Sequence, residues 1–266
     1  MSGIRLTGLH IYPVKSARGT SLTEAVAESR GLRFDRRWLI VGQDGEFVTQ
    51  RTEPRLATLG VAVREDGGVT LSADGYEDLI VPIPAPGATR MPTVIWSDTV
   101  DAQIADGEAN AWLSAWLGRP VWLARMPDDT ARPTVLAPEV NVSFADGYPY
   151  LLCSEESLAA LSQQAEAPIP IDRFRPNIVV AGAEAWAEEQ WSHIRIGGVV
   201  FECMKPCARC VVVTTDQTSG IRSGTAVLEH IAALRGTPDG KVIFGVNAVK
   251  RSGALLKVGD AVVIEG

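Results

Sequence analysis

The sequence lacks several features that mark particular classes of protein. Its 266 residues contain no run of 18 or more apolar residues, so we expect no membrane-spanning helix. Cysteine is scarce, and three of the four cysteines are crowded together, which argues against the disulfide framework of a secreted protein. The opening residues, MSGIRLTGLHIYPVKS, have no basic segment followed by a long apolar stretch, so no signal peptide is expected. A location in the reducing cytoplasm fits these absences best.

An excess of positive charge is also lacking. The formal net charge of −7 argues against a general nucleic-acid-binding protein. The charge is distributed unevenly along the chain. Residues 1–60 hold nine Lys/Arg against six Asp/Glu, a net charge of +3, so the remaining residues carry a net charge of −10. Five arginines crowd this basic part: Arg33, Arg36, Arg37, Arg51 and Arg55. They form either an ordinary solvated face or a local site for a small anionic molecule.

Short β-type runs separated by Asp-Gly turns dominate the chain. Examples are residues 6–14, 38–42 and 69–72, with turns such as QDGE and EDGG. Helical spacing of apolar residues predicts one helix over 107–117, and a second begins after the N-cap residue Ser154. We therefore expect a mainly β (α+β) protein with two barrel-like antiparallel β domains and a few peripheral helices. The domains are predicted at 1–122 and 123–266.

Reactive chemistry is concentrated in residues 201–216, FECMKPCARCVVVTTD. Cys203, Cys207 and Cys210 fall within eight positions, and Arg209 separates the last two. Neighbouring cations favour the thiolate form of cysteine, which is both a nucleophile and a soft metal ligand. The β-branched run 211–215 predicts a strand directly after the cluster.

Four interpretations of the thiol cluster are open. A structural zinc site lacks a second ligand pair. The spacing Cys203-x₃-Cys207-x₂-Cys210 occurs in iron–sulfur enzymes, but Cys203 reads as part of a strand. A thioredoxin-like dithiol needs a helix that starts at its first cysteine, but the β-branched residues 211–215 disfavour a helix there. A single thiolate that binds a metal held by an anionic cofactor needs only one cysteine and would explain the basic excess.

Ordered motifs along nearly the whole chain resemble the MOSC (molybdenum cofactor sulfurase C-terminal) domain family, in the branch of the mitochondrial amidoxime-reducing component and its bacterial relatives. The motifs, in the family's order, are YPVKSARG at 12–19, FDRRWLIV at 34–41, FVTQRTEPRL at 47–56, FADGYPYLLCSEESL at 144–158, RFRPNIVV at 173–180 and KPCARC at 205–210. Each motif alone would suit a surface loop or strand, and it is their joint order that makes the resemblance specific.

The resemblance implies roles for individual residues. Cys210 matches the cysteine that ligates molybdenum, and Asp146 matches a carboxylate near the metal, so both are predicted to be catalytic. Residues predicted to contact the molybdenum cofactor, a molybdopterin, are Lys15, Ser16, Arg36, Arg175, Asn177 and Arg209. Cys207 matches the metal ligand's partner cysteine, whose role is open. Asn247, Gly147 and Tyr148 depart from residues common in the branch, which affects the expected substrate preference.

The function implied is that of a molybdenum-dependent oxidoreductase that reduces small N-hydroxylated compounds. Because no further cysteine set follows residue 210, the electrons would come from a separate flavin or iron–sulfur protein. No nucleic-acid or membrane partner is expected. The alternative is a carrier that binds the molybdenum cofactor or sulfur without turnover, since related domains occur as sulfur-handling modules.

Overall fold

The computed structural model describes residues 3–266, which form a mainly β structure with three helices, and the predicted fold class is confirmed. The strands are β1 (Arg5–Ile11), β2 (Thr20–Leu22), β3 (Glu24–Glu28), β4 (Gly31–Leu32), β5 (Trp38–Val41), β6 (Gly60–Val63), β7 (Val69–Ser72), β8 (Leu79–Val81), β9 (Arg90–Ile95), β10 (Asp98–Ile104), β11 (Trp122–Arg125), β12 (Tyr150–Ser154), β13 (Ile178–Ala181), β14 (His193–Ile196), β15 (Val199–Ala208), β16 (Ile243–Ser252), β17 (Leu255–Lys257) and β18 (Val262–Ile264). The helices are α1 (Gly107–Leu117), α2 (Glu155–Gln164) and α3 (Ala226–Arg235).

An eight-stranded sheet forms the larger layer, in the order β18-β14-β15-β16-β12-β13-β1-β2. Its neighbours pair antiparallel except for the parallel pair β12–β13. The first two strands of the chain thus lie at one edge of a sheet otherwise built from the second half. A four-stranded sheet, β5-β11-β10-β9, and two three-stranded sheets complete the fold. The predicted boundary between residues 122 and 123 stays a prediction.

Two large apolar clusters stabilise these sheets. One lies on the eight-stranded sheet and includes Leu9, Tyr150 and Phe201. The rings of Tyr150 and Phe201 pack edge to face, with their centres 5.0 Å apart. The other joins Trp38 of β5 to Leu113 of α1. Most residues that line the candidate site lie in loops, and the others lie in strands or 3₁₀ turns, so packed elements fix the ends of these loops.

Capping residues mark both ends of α1 and the start of α2. The Asp106 carboxylate accepts a hydrogen bond from the backbone N–H of Ala109, and Gly118 ends α1 with a left-handed φ of 69°. The hydroxyl of Ser154 caps α2 by accepting from the backbone N–H of Ser157. None of the helices within residues 3–266 has the length and apolar character needed to cross a bilayer.

The strand predicted over 211–215 is wrong. Val211–Thr214 form a turn of 3₁₀ helix instead, and Cys210 is the residue that precedes it. Val213 is buried in a cluster with Phe174 and Phe244, so tertiary packing overrides the β preference of the valines. The structure therefore places Cys210 at the start of a short helical turn, two residues beyond the end of β15.

Candidate functional site

All eight residues predicted to form the site line one cavity of about 160 Å³. They are Lys15, Ser16, Arg36, Asp146, Arg175, Asn177, Arg209 and Cys210. Cys207, Gly147, Tyr148 and Asn247, which the resemblance also singled out, line the same cavity. The chain therefore brings loops from its beginning, middle and end to one place, although the chemical role of each residue stays a prediction.

Positive charge dominates the lining of this cavity. The cations are Lys15, Arg36, Arg51, Arg175 and Arg209, against the single carboxylate of Asp146. Low-dielectric walls lined by charges of one sign attract a ligand of the opposite sign. The arrangement suits a small molecule with several negative charges, and guanidinium groups match the geometry of phosphate oxygens.

Tyr12 holds two of these arginines. Its ring is buried, and the guanidinium carbons of Arg36 and Arg175 lie 4.5 and 4.1 Å from the ring centre. The Tyr12 hydroxyl donates to the carbonyl of Pro176 at 3.1 Å, while Arg36 Nη1 donates to Asp35 at 2.6 Å. Both arginines adopt left-handed backbone angles, with φ of 48° and 56°. Cation–π contacts thus fix two cations that the chain separates by more than a hundred residues.

Arg175 keeps one donor without a partner. Its Nη1 donates to Gln217 Oε1 at 3.1 Å, whereas its Nη2 is buried and makes no hydrogen bond among the described residues. Burial lowers the pKa of Arg175 to about 10. The amides of Gln50 and Gln217 bond each other reciprocally at 3.0 Å, and Gln50 also donates to the carbonyl of Ser16 at 2.7 Å. A buried guanidinium donor that lacks an acceptor fits a bound anion, as a cofactor phosphate would supply.

Lys15 and Asp146 form an ion pair at the cavity. Lys15 is buried and donates to Asp146 Oδ1 and, at 2.8 Å, to the carbonyl of Phe144. Asp146 also accepts from Arg51 Nη2 at 3.2 Å and from the indole N–H of Trp96 at 3.3 Å. Burial lowers the pKa of Lys15 to about 8, although Asp146 opposes this shift. Desolvation alone would raise the pKa of Asp146, but Lys15 and Arg51 hold it far below its usual range.

Asn177 lines the cavity, but its side chain is already engaged. Its Oδ1 accepts from Arg36 Nη1 and from the backbone N–H of Leu151, both at 3.3 Å, and its Nδ2 donates to the carbonyl of His10 at 3.1 Å. These bonds fix the position of Arg36 relative to β12 and β13. Ser16, by contrast, adopts a left-handed φ of 68°, which turns the chain at the cavity wall.

Arg209 holds the thiol segment, residues 207–210, in which Cys207 is near the end of β15 and Cys210 follows the strand. Arg209 Nη1 donates to Cys207 Sγ at 3.1 Å, and Nη2 donates to the carbonyl of Phe174 at 2.5 Å. Burial opposes the charge of Arg209, yet Cys207 and the other nearby thiols raise its pKa above the ordinary value. The Arg209 side chain therefore joins the thiol segment to the segment that carries Arg175, which suits positioning as well as ligand contact.

The other two cysteines lie outside the cavity lining. Cys203 packs against the core of the large sheet, and burial raises its pKa to about 12. Cys153 is buried in a second cluster, where burial raises its pKa further. Across residues 3–266, no three His, Cys, Asp or Glu side chains are grouped so as to hold a metal ion by themselves. An iron–sulfur site that uses Cys203 with Cys207 and Cys210 therefore finds no support.

Sequence reasoning missed a buried cation that shapes the site. Arg132 is 3% exposed and donates to the carbonyls of Ser143, Ala145 and Asp146 at 2.8, 2.6 and 3.1 Å. It also pairs with Asp98 at 2.8 Å. These four bonds hold the loop before Asp146 against the start of β10. Three of the acceptors are backbone carbonyls, which leave no side-chain signature in the sequence.

Cavity size does not single out this site. A larger cavity, of about 760 Å³, lies between residues 82–91 and α1, and another, of about 490 Å³, lies beside β1 and α2. Neither is lined by any of the predicted site residues. The small cavity differs from both in its density of cations and thiols.

Comparison with known proteins matches both halves of the chain to family models. The MOSC N-terminal beta barrel domain matches residues 3–120, and the MOSC domain matches residues 139–263. The chain is 33% identical to mitochondrial amidoxime-reducing component 1 of Homo sapiens, over 97% of this chain and 82% of the human protein. It is 31% identical to mitochondrial amidoxime reducing component 2 of Bos taurus, over 96% of this chain and 81% of the bovine protein. Among solved structures, the YUAD protein from Bacillus subtilis aligns over 97% of this chain and 93% of its own, with a TM-score of 0.45 and 9% identity.

Proposed function

The chain belongs to the MOSC domain family, with the mitochondrial amidoxime-reducing components among its relatives, and we propose that it is a molybdenum-cofactor oxidoreductase that reduces N-hydroxylated compounds. One observation carries the proposal. Cys210 lines the same cavity as five cations that come from both halves of the chain. A soft ligand beside a strongly cationic wall suits a metal whose own organic ligand is anionic.

The residues divide into two groups around such a cofactor. Cys210 would bind the molybdenum through its thiolate. Arg36 and Arg175 would bind the anionic tail, since Arg175 has a buried donor with no acceptor among the described residues. When bound, the cofactor supplies the two-electron redox chemistry that converts an N–OH group to N–H with release of water.

The same reaction consumes two protons, and the Lys15–Asp146 pair is suited to hold one. Lys15 is buried with a pKa of about 8, so its Nζ keeps a proton at neutral pH that a small change in surroundings can release. Asp146 is 56% exposed, so it connects Lys15 to solvent. We propose that Lys15 Nζ supplies a proton at the cavity and regains it from solvent, while the Asp146 carboxylate, which Lys15 and Arg51 keep ionised, holds the ammonium group in place.

The electron source and the compartment belong to the proposal as well. We propose that a separate flavin or iron–sulfur protein delivers the electrons, because Cys153 is buried and Cys203 is partly buried against packed clusters. We also propose that the protein works in the cytoplasm, on the strength of its cysteine usage.

A reduction assay tests the proposal. Protein made in a host that synthesises the molybdenum cofactor is incubated with benzamidoxime and a chemically reduced viologen dye, and benzamidine is measured. We expect benzamidine to form, and we expect the Cys210→Ala variant to form none. Bound cofactor without benzamidine would contradict an N-hydroxyl reductase and favour the carrier function.

A further inference from the structure

Trp96 occupies an unusual place in the backbone. It is the first residue of the two-residue loop, Trp96–Ser97, that joins β9 to β10, and Ile95 pairs with Asp98 across this loop. Its φ is 58°, in the left-handed region, at a hairpin position that normally favours glycine or asparagine. A bulky residue held there carries backbone strain, which tends to occur at functional sites.

Two contacts join Trp96 to the candidate site, and a third packs it on Phe47. Its indole N–H donates to Asp146 Oδ1 at 3.3 Å, and the guanidinium carbon of Arg51 lies 4.4 Å from its ring centre. Phe47 packs edge to face against the indole at 5.1 Å. Asp146 and Arg51 both line the cavity, so Trp96 lies directly at its border.

Packing alone does not account for this residue. Trp96 remains 47% exposed, so a large apolar surface faces solvent beside a charged cavity. The Arg51–Asp146 ion pair forms through its own hydrogen bond at 3.2 Å and does not need the indole ring. Glycine or asparagine at this position would relieve the strained backbone without loss of that ion pair.

We propose that Trp96 forms an aromatic subsite at the cavity mouth and that it selects substrates whose N-hydroxylated group is attached to a flat aromatic ring. This inference rests on the proposed function. A cofactor would fill the small cavity, and substrate would then bind at the mouth, where Trp96 and Asp146 lie side by side. The substrate ring packs on the exposed indole surface while its polar C–N–OH group points towards Asp146. Aromatic amidoximes are therefore preferred over small aliphatic ones.

Substrate competition tests the subsite. We compare benzamidoxime with acetamidoxime in the wild-type holoenzyme and in the Trp96→Leu and Trp96→Phe variants. An aromatic contact of ordinary strength predicts that the ratio of kcat/KM for benzamidoxime to that for acetamidoxime falls about tenfold in Trp96→Leu, chiefly through KM. Trp96→Phe keeps a ring but loses the N–H donor, so its ratio should stay within about threefold of wild type.

A matched control uses Tyr76, an aromatic residue that is 40% exposed and packs on Trp112 away from the cavity. The Tyr76→Leu variant should leave the ratio unchanged. An equal loss for both substrates in Trp96→Leu would overturn the inference, because it would mean that the indole only supports Asp146 and Arg51.

A binding measurement separates the subsite from the reaction. Holoenzyme labelled with 5-fluorotryptophan has seven tryptophan signals, and the one missing from Trp96→Phe belongs to Trp96. We expect benzamidoxime to shift this fluorine signal and acetamidoxime to leave it in place. A signal that benzamidoxime does not move would overturn the subsite. A signal that moves in a protein that reduces neither compound would support the subsite and contradict the proposed function.

Discussion

The guanidinium carbon of Arg175 lies 4.1 Å from the ring centre of Tyr12, at the place where the first strand of the chain meets the loop before β13. Arg36 contacts the same ring at 4.5 Å, so one buried aromatic residue holds two cations beside the cavity. Burial is the main cause of the lowered pKa of Arg175, and electrostatic repulsion from Arg36 opposes the arrangement and lowers that pKa further. The ring offsets part of that repulsion.

Replacing Tyr12 with leucine should weaken the retention of the pterin cofactor. The variant loses two cation–π contacts of about 0.5–2 kcal/mol each, which predicts at least about a fivefold loss of cofactor affinity. Pterin content after gel filtration, measured by the fluorescence of its oxidised form, checks this. Tyr12→Phe keeps the ring and loses only the hydrogen bond to Pro176, so it should retain nearly the wild-type amount. Equal pterin content in Tyr12→Leu and Tyr12→Phe would exclude a role of the Tyr12 ring in positioning the two arginines.

Anion binding should weaken as the pH rises through about 8. Burial lowers the pKa of Lys15 to about that value, so its positive charge is lost above it. Sulfate suits the measurement, because its own charge does not change between pH 6 and pH 10, and calorimetry of the cofactor-free protein gives its affinity. The Lys15→Arg variant stays charged and should remove the inflection near pH 8. An unchanged inflection in this variant would assign it to another group.

The lowered pKa of Lys15 also predicts the direction in which the free energy of unfolding changes with pH. Between a folded-state pKa of about 8 and an unfolded-state value near 10.5, the unfolded chain binds the proton that the folded chain has released. The contribution of Lys15 to the free energy of unfolding therefore rises with pH in this window. Urea unfolding of wild type and Lys15→Met at pH 7.5 and pH 10 isolates the effect. The free energy of unfolding of the wild type should increase relative to that of the variant at the higher pH. A decrease in the wild type's free energy of unfolding relative to the variant would contradict the lowered pKa of Lys15.

Arg132→Leu should destabilise the protein by about 3–5 kcal/mol. The variant leaves the carboxylate of Asp98 and three backbone carbonyls without their donor. Urea unfolding with an unchanged m-value measures this loss. Arg132→Lys keeps the charge but cannot reach four acceptors at once, so an intermediate loss is expected. A leucine variant within about 1 kcal/mol of wild type would show that the four bonds contribute little.

Local sequence signals predicted the helices well. The helix predicted over 107–117 has those bounds, and Ser154 caps α2 as predicted, because apolar spacing and capping depend on residues close in the chain. The same local reasoning failed for residues 211–215. There the β preference of three valines competes with burial of Val213 among aromatic residues of other segments, and burial prevails.

The candidate site was predictable where ordered motifs carry it and unpredictable where distant contacts build it. The predicted residues line one cavity because motifs in each half supply loops to the same place. Tyr12 was within a recognised motif, but its contact with Arg175 depends on the pairing of β1 with β13. The bonds of Arg132 to backbone carbonyls and the position of Trp96 beside Asp146 likewise exist only in the folded chain.

The most direct test of the account is the molybdenum content of two cysteine variants. Cys210→Ala and Cys207→Ala are made with wild type in a host that synthesises the cofactor, and metal per protein is measured by elemental mass spectrometry. Both thiols line the cavity, so the pair is a matched comparison. We expect Cys210→Ala to hold less than a tenth of the wild-type molybdenum and Cys207→Ala to hold most of it. Equal molybdenum in Cys210→Ala and wild type would contradict the assignment of Cys210 as the metal ligand.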